Sequence, residues 1–148
     1  MTRQLATFDL DGLHFGVDVL RVQEIIRHKP MTPVPLAPSA VEGLINLRGQ
    51  IVTALDLRRQ LGFAPCGSDH VPVNVVVRAG DEVLSLVVDD IGDVVDVEDA
   101  RFEAPAETLS GPLAALVTGL YKMDGRLLLV LDVDRTVAAD GAVPLARH

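Results

Sequence analysis

Asp56 and Asp132 each precede an aliphatic residue with an arginine close by, a pairing that invites acid–base chemistry. The competing reading is structural, because an aspartate there can accept backbone N–H bonds from a following helical turn. The arrangement recurs at the same place in two stretches of the chain, which favours capping. Asp89, Asp90, Asp93 and Asp96 gather enough carboxylates to suggest a cation site. They lack the glycine and terminal glutamate of a calcium loop, and a solvated strand edge accounts for them better. His14, His28, His70 and His148 show no metal-ligand spacing. Cys66 is the single cysteine, so neither an intrachain disulfide nor a Cys-rich metal site can form. No Gly-rich phosphate loop, nucleophile elbow or Cys/His pairing is present. The residues therefore point away from an enzyme, and neither metal nor cofactor is expected.

Recognition is the chemistry that remains. Asn46, Arg48 and Gly49 fall between two short apolar runs, where a tight hairpin turn is expected. An arginine on such a turn suits an interface, because its planar fork can hold a carboxylate through two bonds. The alternative is an ordinary charge on a solvated turn. Glu24 ends a valine-rich segment and is expected to reach Arg48 as an ion pair. An exposed pair contributes only about 0–1 kcal/mol to stability, so its expected value is to hold the arginine ready for a partner.

Composition narrows the partners. The 148 residues carry a net charge of −8, with 13 basic residues in no long run, which disfavours nucleic acid and anionic membranes. Aromatic content of 3% disfavours stacking on bases or sugars. Residues 1–13 lack the apolar stretch of a signal peptide, and the longest uncharged run, residues 109–121, is too short to span a bilayer. A cytoplasmic protein without membrane insertion is expected.

The elements that must position these residues read as short strands rich in valine and leucine. Residues 6–10 and 14–17 form a hairpin around Asp11-Gly12, and residues 19–26 favour a strand. Pro30, Pro33, Pro35 and Pro38 impose an extended connection. Residues 43–47 and 50–56 make a second hairpin, and residues 58–61 a helical turn stopped by Gly62.

The pattern then repeats. Val41, Gly43, Leu44, Gly49, Leu55, Asp56 and Arg59 recur, 76 residues on, as Val117, Gly119, Leu120, Gly125, Leu131, Asp132 and Arg135. Val17, Val19, Val22 and Ile25 align with Leu86, Val88, Ile91 and Val94 at a spacing of 69, which also sets Asp93 against Glu24. Two copies of one unit are expected. Each offers about five strands, too few to bury a large core alone, so the fold class is all-β: two small five-stranded barrels sharing an apolar seam. Val22, Ile45, Val88 and Leu120 are the expected seam residues. The recurring glycines Gly43, Gly49, Gly119 and Gly125 are read as turn residues. The copies differ at the hairpin, where Met123 and Asp124 replace the Arg48 neighbourhood. The boundaries expected are one domain over 1–148, with a first subdomain at about 6–63, a linker at 64–72 and a second subdomain at 73–138.

The runs Val22-Gln23-Glu24-Ile25, Val41-Glu42-Gly43-Leu44-Ile45-Asn46-Leu47-Arg48-Gly49 and Leu55-Asp56-Leu57-Arg58 resemble the CheW family of chemotaxis coupling proteins. The resemblance continues through Leu86-Val87-Val88-Asp89-Asp90-Ile91 and Leu131-Asp132-Val133, covering about residues 4–138. It implies two barrels of SH3-like form and an adaptor role. The partners it implies are the regulatory domain of the histidine kinase CheA and the cytoplasmic tip of chemoreceptors. Partner-binding positions are then expected at Val22, Glu24, Asn46, Arg48 and Gly49, with Asp56, Leu57 and Arg58 as candidates for kinase docking. Thr53 stands where the family commonly has proline, which leaves a backbone donor there. A sensor or enzyme using a groove between the modules is the competing class, and an adaptor of a different motility array is a third.

Overall fold

Among the described residues ten strands form, each five to nine residues long, where valine- and leucine-rich segments are bounded by glycine or charge. The computed structural model describes residues 2–27, 31–35, 41–64, 71–104, 111–123 and 125–138. Cys66, His28, His70, His148, Pro30, Pro38 and Asp124 lie outside these, as does most of the expected linker.

The strands are β1 (Thr2–Leu10), β2 (Leu13–Asp18), β3 (Val22–Ile26), β4 (Val41–Leu47), β5 (Gln50–Asp56), β6 (Val73–Ala79), β7 (Glu82–Val88), β8 (Asp90–Glu98), β9 (Val117–Met123) and β10 (Arg126–Leu131). Three short helices follow or precede them: α1 (Leu57–Gln60), α2 (Gly111–Leu116) and α3 (Val133–Ala138). The segment expected as one strand over 19–26 begins instead with a 3₁₀ turn, Val19–Arg21, capped by Asp18, whose Oδ1 accepts the Leu20 N–H at 2.9 Å. Asp11 and Gly12 take the positive φ angles expected of the first hairpin.

Two five-stranded sheets form, in the orders β8-β1-β2-β10-β9 and β3-β6-β7-β5-β4. Their pairing follows the 76-residue repeat. Val41 pairs with Leu55 and Gly43 with Ala54 across a bulge, and Val117 pairs with Leu131 and Gly119 with Val130 across the same bulge 76 residues on. The parallel partner Thr53↔Leu84 recurs as Leu129↔Phe15.

The sheets do not follow the boundaries expected from the repeat. Each copy gives its first two strands to one sheet and its last three to the other. One sheet takes β1 and β2 from the first copy with β8, β9 and β10 from the second. The other takes β3, β4 and β5 from the first with β6 and β7 from the second. Contiguous barrels at 6–63 and 73–138 are thus replaced by a mutual exchange of strands. The exchange lets each copy bury its central strands on both faces. Val73, Val75 and Val77 face the common core while Val76 faces the interior of its own sheet.

Among the described residues three apolar cores result. The largest is the shared seam, with Phe8, Phe15 and Leu129 from one sheet, Leu55, Val75 and Leu86 from the other, and Leu57 and Val137 from α1 and α3. Val88 and Leu120 lie in it, and Val22 packs against it. Ile45 does not. It belongs with Leu47, Val52, Ala54, Val76 and Val87, all from a single sheet, which must therefore curl around them as a small barrel. Leu5, Val97, Tyr121, Leu128 and Val130 fill the other barrel in the same way.

The repeated glycines divide into two kinds. Gly49 and Gly125 have positive φ, as expected of turns. Gly43 and Gly119 lie within strands, and a Cβ there would come 2.8 Å from the Thr32 carbonyl oxygen and 2.6 Å from that of Glu103. They admit crossing backbones, which bridge at Thr32↔Leu44 and Glu103↔Leu120.

Candidate functional site

Pairing of Leu47 with Gln50 leaves Arg48 and Gly49 as a two-residue loop, with φ of 52° and 89°. Two successive positive φ angles match the twist of the flanking strands. The Asn46 Oδ1 accepts the Gly49 N–H at 2.8 Å and closes the turn. Arg48 therefore projects from a backbone that has little freedom.

Its guanidinium meets Glu24 through two bonds, Nη1 to Oε2 at 2.7 Å and Nη2 to Oε1 at 3.1 Å. The arginine side chain remains 81% exposed while Glu24 is only 21% exposed. The carboxylate is thus part of the wall, and the arginine is what a partner meets. Glu24 reaches this place through a bulge, since Val22 pairs with Val77 and Glu24 with the adjacent Val76. Ile25 and Ile51 are exposed beside the pair in sequence, at 44% and 60%. Sequence reading did not single out these two isoleucines, although the alternation of β3 around the inward Ile26 marks Ile25 as outward. The structure brings Glu24, Asn46, Arg48 and Gly49 together, while Val22 packs on the central core.

The second copy reproduces the frame without the arginine. Val94 and Leu127, the repeat equivalents of Ile25 and Ile51, are exposed as well. Asp93 stands for Glu24 and Lys122 for Asn46, and position 124 is an aspartate that lies outside the described residues.

Asp56, Leu57 and Arg58, the candidates for kinase docking, all make contacts inside the fold. Leu57 is fully buried in the seam. The Asp56 Oδ1 accepts the Arg58 N–H at 3.0 Å and caps α1. Arg58 is 14% exposed and grips Asp89 through Nε and Nη2 at 2.7 and 2.6 Å, with Nη1 donating to the Ala64 carbonyl oxygen at 2.6 Å. Asp132 repeats the cap, accepting the Arg135 N–H at 3.0 Å.

Asp89 leaves the acidic edge it was read with. It sits in the bend between β7 and β8, 17% exposed, bound to Arg58 and to the Asp11 N–H. Asp90, Asp93 and Asp96 are exposed along β8, an outer strand of its sheet. Among the described residues, no three His, Cys, Asp or Glu side chains converge as metal ligands. Glu42, on the β4 bulge, is a titratable group that sequence reading passed over. Burial pushes its carboxyl above the ordinary range, Asp56 adds to the rise, and Arg59 opposes it.

Two surface cavities, of about 290 and 190 Å³, lie elsewhere. Asp96, Glu98, Arg101 and Lys122 line the first, and Arg3, Asp18 and Asp132 the second. The first draws on the second copy alone, and the second lies where Arg3, Asp18 and Arg21 of the first copy meet Thr118 and residues 130–134 of the second. Among the described residues, no helix is long and apolar enough to cross a membrane.

Comparison with known proteins agrees with this architecture. The crystal structure of the scaffolding protein TtCheW from Thermoanaerobacter tengcongensis superposes with a TM-score of 0.86 at 25% identity, covering 95% of this chain and 96% of that one. Chemotaxis protein CheW of Klebsiella aerogenes is 30% identical over 93% of this chain and 83% of its own length. Chemotaxis protein CheW of Treponema pallidum is 27% identical over 97% and 86%. The model of the CheW-like domain matches residues 4–140. With its exchanged sheets, repeated bulges and nearly full-length match, the chain belongs to the CheW-like domain family.

Proposed function

We propose that this chain is a non-enzymatic adaptor of chemotaxis signalling that couples the cytoplasmic tip of chemoreceptors to the histidine kinase CheA. One observation carries the reading: Arg48 is fixed by a bidentate bond to Glu24 on a constrained turn, yet stays 81% exposed. A side chain already ordered loses less freedom on association, and an exposed, pre-ordered arginine has the makeup of an interface anchor. The relatives' names and the scaffolding description of TtCheW support the same role. A cytoplasmic site of action follows from these partners.

Co-sedimentation with a receptor signalling fragment and the kinase tests the proposal. Arg48→Ala and Glu24→Ala should weaken capture while leaving the melting temperature nearly unchanged, because an exposed pair contributes only about 0–1 kcal/mol to stability. If Arg48→Ala is captured as well as the parent protein, the site assignment is wrong. If no partner is captured by the parent protein, the adaptor reading itself fails.

A further inference from the structure

Two bidentate ion pairs close the two places where the chain passes from one sheet to the other. Asp89 marks the passage from β7 to β8, and Arg58 of α1 grips it at 2.6 and 2.7 Å. Arg21 ends the 3₁₀ turn between β2 and β3, and it grips Asp134 of α3 through Nη1 and Nη2, both at 2.9 Å. Arg21 also donates to the Arg78 carbonyl oxygen at 3.1 Å.

The two pairs are repeat equivalents with the charges interchanged. Arg58 and Asp134 occupy the same helix position, 76 residues apart, and Asp89 and Arg21 occupy neighbouring positions of the same passage. Both arginines come from the first copy and both aspartates from the second. Each pair also joins one copy to the other, since a copy's helix meets the other copy's passage.

This distribution has a consequence for assembly. Exchanged strands make each half of the chain the natural complement of the other half, and of a like half from another molecule. Two first halves would set Arg58 against Arg21, and two second halves would set Asp134 against Asp89. We propose that these two ion pairs are specificity determinants that direct each first half onto a second half and disfavour the pairing of like halves between two molecules. Like charges facing across an interface disfavour the wrong partner more than the matched pair favours the right one.

Inverting one pair only tests this. Arg21→Asp with Asp134→Arg keeps both ion pairs when the chain closes on itself. It also creates Asp–Arg matches between like halves, so discrimination disappears. The full-length protein is unfolded, refolded at high concentration, and sized by light scattering. The singly inverted protein should yield a dimer fraction about tenfold above the parent's, with an unchanged melting temperature of its monomer. The dimer should persist on dilution without denaturant, as an exchange of strands requires. Arg21→Glu with Asp134→Lys, a second inversion at this exposed pair, should behave alike, and Arg21→Ala with Asp134→Ala should rise less. Inverting Arg58 and Asp89 as well should return the dimer fraction to the parent's. A singly inverted protein that refolds as monomeric as the parent would overturn the proposal, as would an equal rise in the doubly alanine-substituted protein, which would make the pair a matter of stability alone.

Discussion

The Gln60 Nε2 donates a 2.6 Å hydrogen bond to the backbone oxygen of Thr136, the residue 76 positions later that holds the same place in the second copy. Equivalent residues touch one another only beside a two-fold axis. The axis therefore passes between α1 and α3, inside the seam, where Gln60 is 8% exposed and Thr136 fully buried. Gln60→Ala removes the donor from a buried carbonyl. The expected cost is about 1–3 kcal/mol in urea unfolding, with partner capture unchanged.

Exchange of strands governs what happens when the chain is divided. Neither half contains a complete sheet, because each sheet needs strands from both. Residues 1–64 and 71–148 produced alone should be insoluble or unfolded, since each exposes the seam. Produced together they should copurify as one folded unit. Two soluble, independently folded monomeric halves, judged by circular dichroism and light scattering, would refute the exchanged arrangement.

Arg58 and Arg48 should separate cleanly in their effects. Arg58→Ala strips a mostly buried Asp89 of its bidentate partner and should cost about 1–3 kcal/mol. Leu57→Ala opens a cavity in the seam and should cost about 2–5 kcal/mol. After correction for the folded fraction, both variants should capture receptor and kinase like the parent, in contrast to Arg48→Ala.

Glu42 gives stability a pH signature. Its carboxyl is raised in the folded state by burial first and by Asp56 second. Folding then favours the protonated form, so this group's contribution is fully present below its unfolded pKa and is lost as pH rises through the folded value. Glu42→Gln should therefore raise the melting temperature at neutral pH, and the gain should shrink in acid. Glu42→Thr, which installs the residue of the equivalent bulge at Thr118, should follow the same course. A gain that stays constant from acid to neutral pH would contradict this assignment.

Gly43 and Gly119 should be less replaceable than Gly49. A methyl group at either strand position meets a crossing carbonyl under 3 Å away. Gly43→Ala should lower the melting temperature well beyond the effect of Gly49→Asn, because asparagine tolerates the left-handed backbone that Gly49 requires.

Local chemistry was legible in the residues themselves. The Asp11-Gly12 and Arg48-Gly49 turns, the caps by Asp56 and Asp132 and the duplication all act over a few residues or repeat a pattern, so side-chain type is enough to reveal them. The Glu24–Arg48 pair was also within reach, as complementary charges beside a strand and a tight turn. The choice of neighbours was not. Strands pair through backbone groups that are the same in every residue, and an apolar run reports that a strand is buried, not which strand lies beside it. The exchange of strands between sheets, the place of Ile45 in a separate core, the grip of Arg58 on Asp89 and the crossing backbones at Gly43 and Gly119 were decided only when the two copies packed around one seam. That packing buries the central strands on both faces, which neither copy can do alone.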